Sequence, residues 1–335
     1  MRARSTPAAF AMGAGLQHRL FSPSALLRLR AALDLDDDRV IETFDQVDPR
    51  VLDKLEVLIT GWGTPALSVD DLERMPRLRA VFHAAGTVKG HLPAEVWDRG
   101  ILVTTAAAAN AYPVAEYTLA MILLAGKDAL SIAALYRADP LLDIAGRYPA
   151  IGNYRRTVGI IGASTVGRLV IDLLAGFDFE ILLYDPIIAD DDPVLLRAER
   201  VSLDALFDRS SIVSVHAPLL PETRGMVGAA ELARLEHGAT LINTARALIV
   251  DQAALGEALA AGSIRAVLDV TEPEPLPLSD PLRGSPGLIV TPHIAGALGN
   301  ELLRLGESVV REVELFVNGE APAFPVRKSD LAAMA

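Results

Sequence analysis

Short runs rich in branched apolar residues alternate with helical patterns along the whole of this 335-residue chain. That alternation predicts parallel sheets assembled from βαβ units. In the first third, Ala8–Met12, Val40–Phe44, Val57–Thr60, Ala80–Ala84 and Leu102–Thr105 read as strands. Six further runs follow: VGIIG (158–162), ILLYD (181–185), SIVSVHA (211–217), ATLINTA (239–245), IRAVLDV (264–270) and GLIVTPH (287–293). They predict a second, six-stranded parallel sheet. The length calls for two domains.

Helix signals fill the gaps. Ser22-Pro23 places a serine at an N-cap and a proline at the first helical position. Ser68 and Asp71 have the spacing of a capping box. From Pro113 to about Leu130 the pattern is apolar nearly all round, which predicts a helix buried on most sides, a spine between two domains. A long amphipathic helix is expected from about Asn300 to Val317, carrying the chain back to the first domain.

Composition removes several classes of function. The formal net charge is -12 without basic runs, a poor match to nucleic acid or an anionic membrane surface. With no cysteine there is no disulfide, no Cys-ligated metal and no Cys nucleophile, and no metal site is expected. This fits a reducing compartment, and a cytoplasmic location is the expectation. No apolar run reaches the roughly 18 residues of a membrane helix. The opening MRARSTPAAFAMGAGL has the charge of a signal peptide, but its apolar stretch is short and broken by glycines, so Ala8–Met12 is read as a strand.

The second group of strands carries the chemistry. Its first strand ends at Gly162, and Gly162-Ala-Ser-Thr-Val-Gly167 opens a helix in the frame G-x-G-x-x-G, with Ser164 at the second glycine. Such a turn needs glycine where the chain bends, a small residue where backbone meets a pyrophosphate, and glycine where helix packs on strand. The helix N-terminus then offers N–H groups to phosphate. The frame alone is weak, since many glycine turns bind nothing. The next strand ends in Asp185, 23 residues after Gly162. An acid there can bond a ribose 2′-hydroxyl and repel a 2′-phosphate, which favours NAD over NADP.

Arg246, Glu274 and His293 follow three late strands, 28 and 19 residues apart. In an open parallel sheet the carboxyl ends share one rim, where ligands bind. Each suits the reduction of a 2-oxo acid. Histidine is the proton donor best matched to neutral pH. A carboxylate beside it favours the imidazolium and fixes the ring. Arginine grips a substrate carboxylate with two prongs and polarises the carbonyl. Singly, each has a plain alternative: a loop histidine, a surface arginine, a solvated glutamate in the Pro-rich TEPEPLPLSDP. The joint pattern carries the weight. His216, which ends the SVHAP strand close to where the cofactor should lie, is read as a cofactor contact and is the rival to His293 as donor.

The segments VGIIGASTVG, LLYDP, SIVSVHAPLLPETRGMV, TLINTARALIVD, AVLDVTEPEPLP and TPHIAG resemble, in order and spacing, the D-isomer-specific 2-hydroxyacid dehydrogenases over about residues 155–300. Similarity is weaker in the first part, including NAYPVAEYTLAMILL. The resemblance implies an α/β fold in two domains. A Rossmann-type doubly wound parallel sheet for NAD (111–299) is inserted in a smaller flavodoxin-like α/β substrate domain (1–110 and 300–335). It implies Arg246 as substrate binder, Glu274 as partner of the acid–base residue and His293 as that residue. It also implies cofactor contacts from Thr165, Val166, Asp185, the Thr244–Ala245–Arg246 backbone and Asp269, beside the turn residues Gly162, Ser164 and Gly167, and a homodimer through the cofactor domain.

Three departures stand out. Ser164 replaces the second fingerprint glycine, and Ala247 replaces the glycine usual after the arginine. The loop His83–Gly90 lacks the family's Asp. Gly86 and Thr87 can still offer N–H groups to a substrate carboxylate, and Lys89 either adds charge for a dianionic substrate or faces solvent. The expected activity is hydride transfer between NAD(H) and a small 2-hydroxy or 2-oxo acid of glyoxylate, hydroxypyruvate or phosphohydroxypyruvate type. The sequence after Val326 has no room for a regulatory domain, which argues against a long serine-regulated phosphoglycerate dehydrogenase. The alternatives are formate or phosphite oxidation, and an NADH-sensing interaction protein on the same scaffold. Sensing needs no acid–base pair.

Overall fold

The computed structural model describes residues 6–139, 141–148 and 150–332. Among the described residues twelve strands form two sheets. The first holds β1 (Thr6–Ala11), β2 (Leu33–Ile41), β3 (Val57–Thr60), β4 (Ala80–His83) and β5 (Leu102–Thr105). All its pairs are parallel, in the order β2-β1-β3-β4-β5, the flavodoxin-like order.

The second sheet holds β6 (Thr157–Ile161), β7 (Glu180–Tyr184), β8 (Glu199–Arg200), β9 (Ile212–Val215), β10 (Thr240–Asn243), β11 (Arg265–Leu268) and β12 (Leu288–Val290). Its order is β12-β11-β10-β9-β6-β7-β8, again all parallel. This is the doubly wound arrangement, reversing between β6 and β9. The sheet has seven strands rather than the expected six. The added one, β8, is two exposed residues on the outer edge and has no apolar run to announce it.

The chain divides into two units. One comprises the chain up to Asn110 together with the segment from Ala297 on; the other is Ala111–Gly296. Each sheet is covered on both faces, which is why its strands read as continuous apolar runs. In β1, Phe10 enters one core cluster and Ala11 the opposite one. In β6, Ile161 enters one cluster while Val158 and Ile160 enter the other.

β2 differs from expectation. Pairing with β1 begins at Leu33, and a register irregularity between Ala8 and Phe10 lets it resume at Val40. The strand LDLDDDRVI is an acidic edge whose buried residues are Leu33, Leu35 and Ile41. Phe44, expected inside the strand, opens a short 3-10 turn instead.

The helices carry the predicted caps. Ser22 Oγ accepts from Ala25 N with Pro23 at the first helical position. Ser68 and Asp71 form a full capping box. The apolar helix runs Ala107–Gly126, and the chain then bends by 53° into Ala129–Ala138. One stripe of it is exposed, and the other sides are buried or partly buried. Ala111, Val114, Ala115, Thr118 and Ile122 are buried, but Tyr112, Glu116, Ala120 and Leu124 form an exposed stripe at four-residue spacing. In Ala129–Ala138 no residue is buried. Among the described residues no single helix is long and apolar enough to cross a membrane.

The helix Leu302–Asn318 buries Leu305, Val309, Val310 and Val313 in the first sheet's core. Gly306 on this helix meets the main chain of Leu20, so an added Cβ would overlap the Leu20 carbonyl oxygen. Backbone cannot yield as a side chain does. Gly306→Ala is expected to lower stability by about 3 kcal/mol, read as an earlier urea-unfolding midpoint; an unchanged midpoint would refute the close packing.

Candidate active site

The parallel direction of the second sheet brings six strand ends to one rim. Gly162 follows β6, Asp185 β7, His216 β9, Thr244–Arg246 β10, Asp269 β11 and Thr291–His293 β12. The order reverses between β6 and β9, so the crevice expected for a ligand lies at the turns after those strands.

The first and third fingerprint glycines are there by steric necessity. Gly162 has φ +97°, and a Cβ on it would lie 2.8 Å from Ala217 N and 2.9 Å from Ala217 Cα. A Cβ on Gly167 would overlap the Gly162 carbonyl oxygen. Ser164 needs no such freedom. Its φ of -65° and ψ of 176° are ordinary extended backbone, and it is the N-cap of the helix Thr165–Leu174, its Oγ accepting from Gly167 N at 3.2 Å. The serine caps the helix and leaves its first N–H groups, those of Thr165 and Val166, without intrahelical partners. This cradle fits a pyrophosphate.

Asp185 is tied into the same turn. Its Oδ2 accepts from Ala163 N at 2.8 Å and its Oδ1 from Ile187 N at 2.9 Å. Arg168, which the sequence reading passed over, donates through Nε to Ala163 O at 2.9 Å and grips Asp192 with both terminal nitrogens. It sits directly after the third glycine, the one signal that marked it.

Arg246, Glu274 and His293 come together. His293 Nδ1 lies 2.8 Å from Glu274 Oε1. A carboxylate only accepts, so Nδ1 carries the proton and Nε2 is left for a substrate. Arg246 is half-buried; burial lowers its pKa and the nearby Glu274 charge opposes that shift. Its Nη1 donates to Ala245 O at 2.7 Å. Asn243 braces the turn, donating to Arg246 O at 2.9 Å and accepting from Ala245 N at 3.0 Å. Thr244 Oγ1 lies 3.1 Å from Thr118 Oγ1. Ala247 opens a 3-10 turn and is not among the residues at positive φ, so no glycine is needed there.

Asp269 builds the loop that presents His293. The carboxylate is buried and accepts from Thr291 Oγ1 at 2.6 Å, Ile294 N at 2.8 Å and Ala295 N at 2.8 Å, while its carbonyl accepts from His293 N at 3.0 Å. These bonds hold His293 at φ +55°, a left-handed conformation that costs about 1 kcal/mol for a residue with a Cβ. Thr291 spends its hydrogen on Asp269, so Tyr117, 2.8 Å away, donates to Thr291.

His216 is set apart. Its ring is buried and hydrogen-bonded to Ser214 Oγ at 2.9 Å, and burial pushes its pKa down to about 3. It is neutral near pH 7 and lies beneath the glycine turn, which removes it as proton donor. In the other unit, Gly86 and Thr87 follow β4, and their N–H groups donate to no described residue. His83 supports this loop from below. Its Nδ1 lies 2.9 Å from Thr60 Oγ1, the ring also bonds the Thr87 backbone, and burial lowers its pKa to about 4.

Both histidines are neutral when folded and take up protons when unfolded. Their contribution to stability is therefore whole above the ordinary value of 6.5 and is lost as pH falls towards 4 and 3. For His83→Gln, the loss of unfolding free energy between pH 6.5 and 5.0 should shrink by about 1.5 kcal/mol relative to the parent. An unaltered pH dependence would show that His83 is not held neutral.

Known proteins resemble this chain in sequence and fold. Residues 119–295 match the model of the D-isomer specific 2-hydroxyacid dehydrogenase, NAD binding domain. A glyoxylate reductase of Korarchaeum cryptofilum is 33% identical over 262 residues, 77% of this chain and 79% of that protein. A D-3-phosphoglycerate dehydrogenase of Mycobacterium leprae is 34% identical over 66% of this chain, but the match spans only 42% of that protein. Among solved structures, a phosphoglycerate oxidoreductase from Rhizobium etli superposes with a TM-score of 0.83 at 27% identity, covering 96% of this chain and 98% of that one. A D-lactate dehydrogenase from Aquifex aeolicus, complexed with NAD and lactic acid, gives 0.69 at 27% identity over 93% and 96%. With the nucleotide turn, the Asp185 strand end and the rim residues in place, the chain belongs to the D-isomer specific 2-hydroxyacid dehydrogenase family and is an NAD-dependent oxidoreductase.

Proposed function

We propose that the chain reduces a small 2-oxo acid of glyoxylate, hydroxypyruvate or phosphohydroxypyruvate type with NADH, or runs the reverse. The observation that carries this is the His293–Glu274 pair at 2.8 Å, with Arg246 close enough to feel the Glu274 charge. Glyoxylate comes first because relatives named glyoxylate reductase, from Korarchaeum cryptofilum and Thermofilum pendens, match over about four fifths of both chains.

The residues divide the work as follows. Gly162, Ser164, Thr165, Val166 and Gly167 hold the pyrophosphate by backbone, and Asp185 takes the adenosine ribose and disfavours a 2′-phosphate. Thr244, Ala245 and Arg246 line the cofactor with main chain. Asp269 Oδ2 accepts a single bond, from Ala295 N, and keeps a lone pair for the nicotinamide carboxamide. His216 supports the turn from behind. NADH, when bound there, would supply the hydride for this reduction. His293 Nε2 gives its proton to the carbonyl oxygen, Glu274 steadies the imidazolium, and Arg246 holds the substrate carboxylate. We assign Gly86 and Thr87 to substrate binding through their N–H groups. A cytoplasmic location belongs to the same reading.

NADH oxidation followed at 340 nm across glyoxylate, hydroxypyruvate, phosphohydroxypyruvate and pyruvate tests this. Turnover is expected with NADH well above NADPH. His293→Ala should lower kcat by about 100-fold or more while NADH binding persists. Tight NADH binding with no turnover on any of them, or oxidation of formate or phosphite alone, would overturn the assignment.

We also propose a homodimer formed through the Ala111–Gly296 unit. Leu124, Leu130, Leu135 and Tyr136 present an exposed apolar surface along Ala107–Gly126 and Ala129–Ala138, larger than isolated surface residues require. A second copy burying this face is the occupant that fits the family. Light scattering should give twice the 35.7 kDa chain mass, and Leu135→Asp with Tyr136→Asp should give the monomer. A monomeric parent would end the proposal.

A further inference from the structure

The loop that carries Glu274 cannot hold itself. In Glu272–Pro277, the sequence EPEPLP, three of six residues are prolines without N–H groups. Of the backbone N–H groups in this segment, only that of Glu272 donates to a described residue, Gln252. Anchors from outside must therefore define where Glu274 stands. On the far side Arg283 does this, donating to Leu276 O at 2.6 Å and to Pro277 O at 3.0 Å. Thr271 adds a bond to Pro273 O at 3.0 Å.

On the near side, where Thr271 also holds Pro273, the clamp on Glu272 is one side chain. Gln252 Oε1 accepts from Glu272 N at 2.8 Å, and Gln252 Nε2 donates to Glu272 O at 2.6 Å. This is the exchange that a neighbouring strand would make with Glu272, delivered by an amide. Only a group with a donor and an acceptor side by side can do it. Gln252 is the first residue of the helix Gln252–Ala260, six residues after Arg246 and joined to it by the turn Ala247–Ile249. The clamp thus ties the segment bearing Arg246 to the loop bearing Glu274.

We propose that Gln252 is a positioning residue that sets Glu274 against His293 through its clamp on Glu272. The inference rests on the acid–base reading of that pair. Gln252 touches none of the reacting atoms. Its removal leaves only the Thr271–Pro273 bond on that side, and Glu274 Oε1 then spends less time at His293 Nδ1. A glutamate in its place keeps the acceptor but turns an oxygen on the Glu272 carbonyl, so it should not restore function.

Two measurements on the full chain test this. The first is the two-bond 1H–15N spectrum of histidine-labelled protein, which reads the protonation of each ring nitrogen without any substrate, His293→Gln identifying the signal. The parent should show His293 with its proton on Nδ1, and Gln252→Met a shift towards the Nε2–H form. An unchanged His293 signal in Gln252→Met would overturn the proposal. The second is steady-state reduction of glyoxylate by NADH. Gln252→Met and Gln252→Glu should each lower kcat roughly tenfold, with the KM for NADH within twofold. In a Glu274→Gln background the same changes should cost nothing further. Full additivity would mean that Gln252 acts elsewhere, and so would sink the idea. Full activity in Glu274→Gln itself would instead refute the acid–base reading, while the spectrum would still judge the clamp.

Discussion

Parallel strands buried on both faces leave the chain one place for chemistry. Past their first residues, β6, β9, β10 and β11 are buried throughout, so polar side chains there need partners, as Ser214 has in His216. At the carboxyl rim that restriction ends. The free N–H groups of the Thr165–Leu174 helix, the carboxylates of Asp185 and Asp269 and the guanidinium of Arg246 all sit within a few residues of a strand end. The sheet fixes their separation without any contact between them in sequence.

Two kinds of glycine argument separate at the nucleotide turn. Gly162 is compelled both by its positive φ and by the backbone of Ala217, and Gly167 by the carbonyl of Gly162. The middle position has neither constraint. Because it is extended and precedes the helix, a residue able to cap serves it as well as glycine. Ser164 departs from the motif as a string of letters and agrees with it as a piece of geometry. Asp185 shows a related economy. The carboxylate that suits a ribose hydroxyl also closes the turn on Ala163 N, so a change at Asp185 disturbs cofactor choice and turn geometry together.

Much of this was legible in the sequence because both sheets are parallel and buried, which makes their strands stand out as apolar runs. What stayed hidden had no such signature. β2 contains four aspartates in nine residues and pairs along one edge only, so its strand character comes from its neighbour. β8 is two charged residues recruited by Leu182 and Leu183. The helix Ala107–Gly126 is apolar nearly all round, yet one stripe of it is exposed within the chain, since composition does not say what covers a face. At the site, Arg246, Glu274 and His293 could be named from strand ends and spacing. Gln252, Asn243, Thr291 and Tyr117 could not. They act through hydrogen bonds to other residues' main chain or side chains, and no periodicity or motif encodes such a bond.

The two histidines at this rim show how one residue type is given opposite tasks. His216 closes a strand, is buried against Ser214 and is kept neutral by the cost of burying a charge. His293 stands past the end of β12, half-exposed, in a backbone conformation that only its anchors sustain. Those anchors come from a single buried carboxylate. Asp269 spends three of its acceptor positions on Thr291, Ile294 and Ala295, so among the described residues N–H and O–H dipoles, not a cation, hold it. That choice matters for the chemistry. A lysine or arginine paired with Asp269 would place a positive charge next to an imidazole that must itself become positive. Neutral donors hold the loop equally well and leave Glu274 as the charge that His293 meets directly.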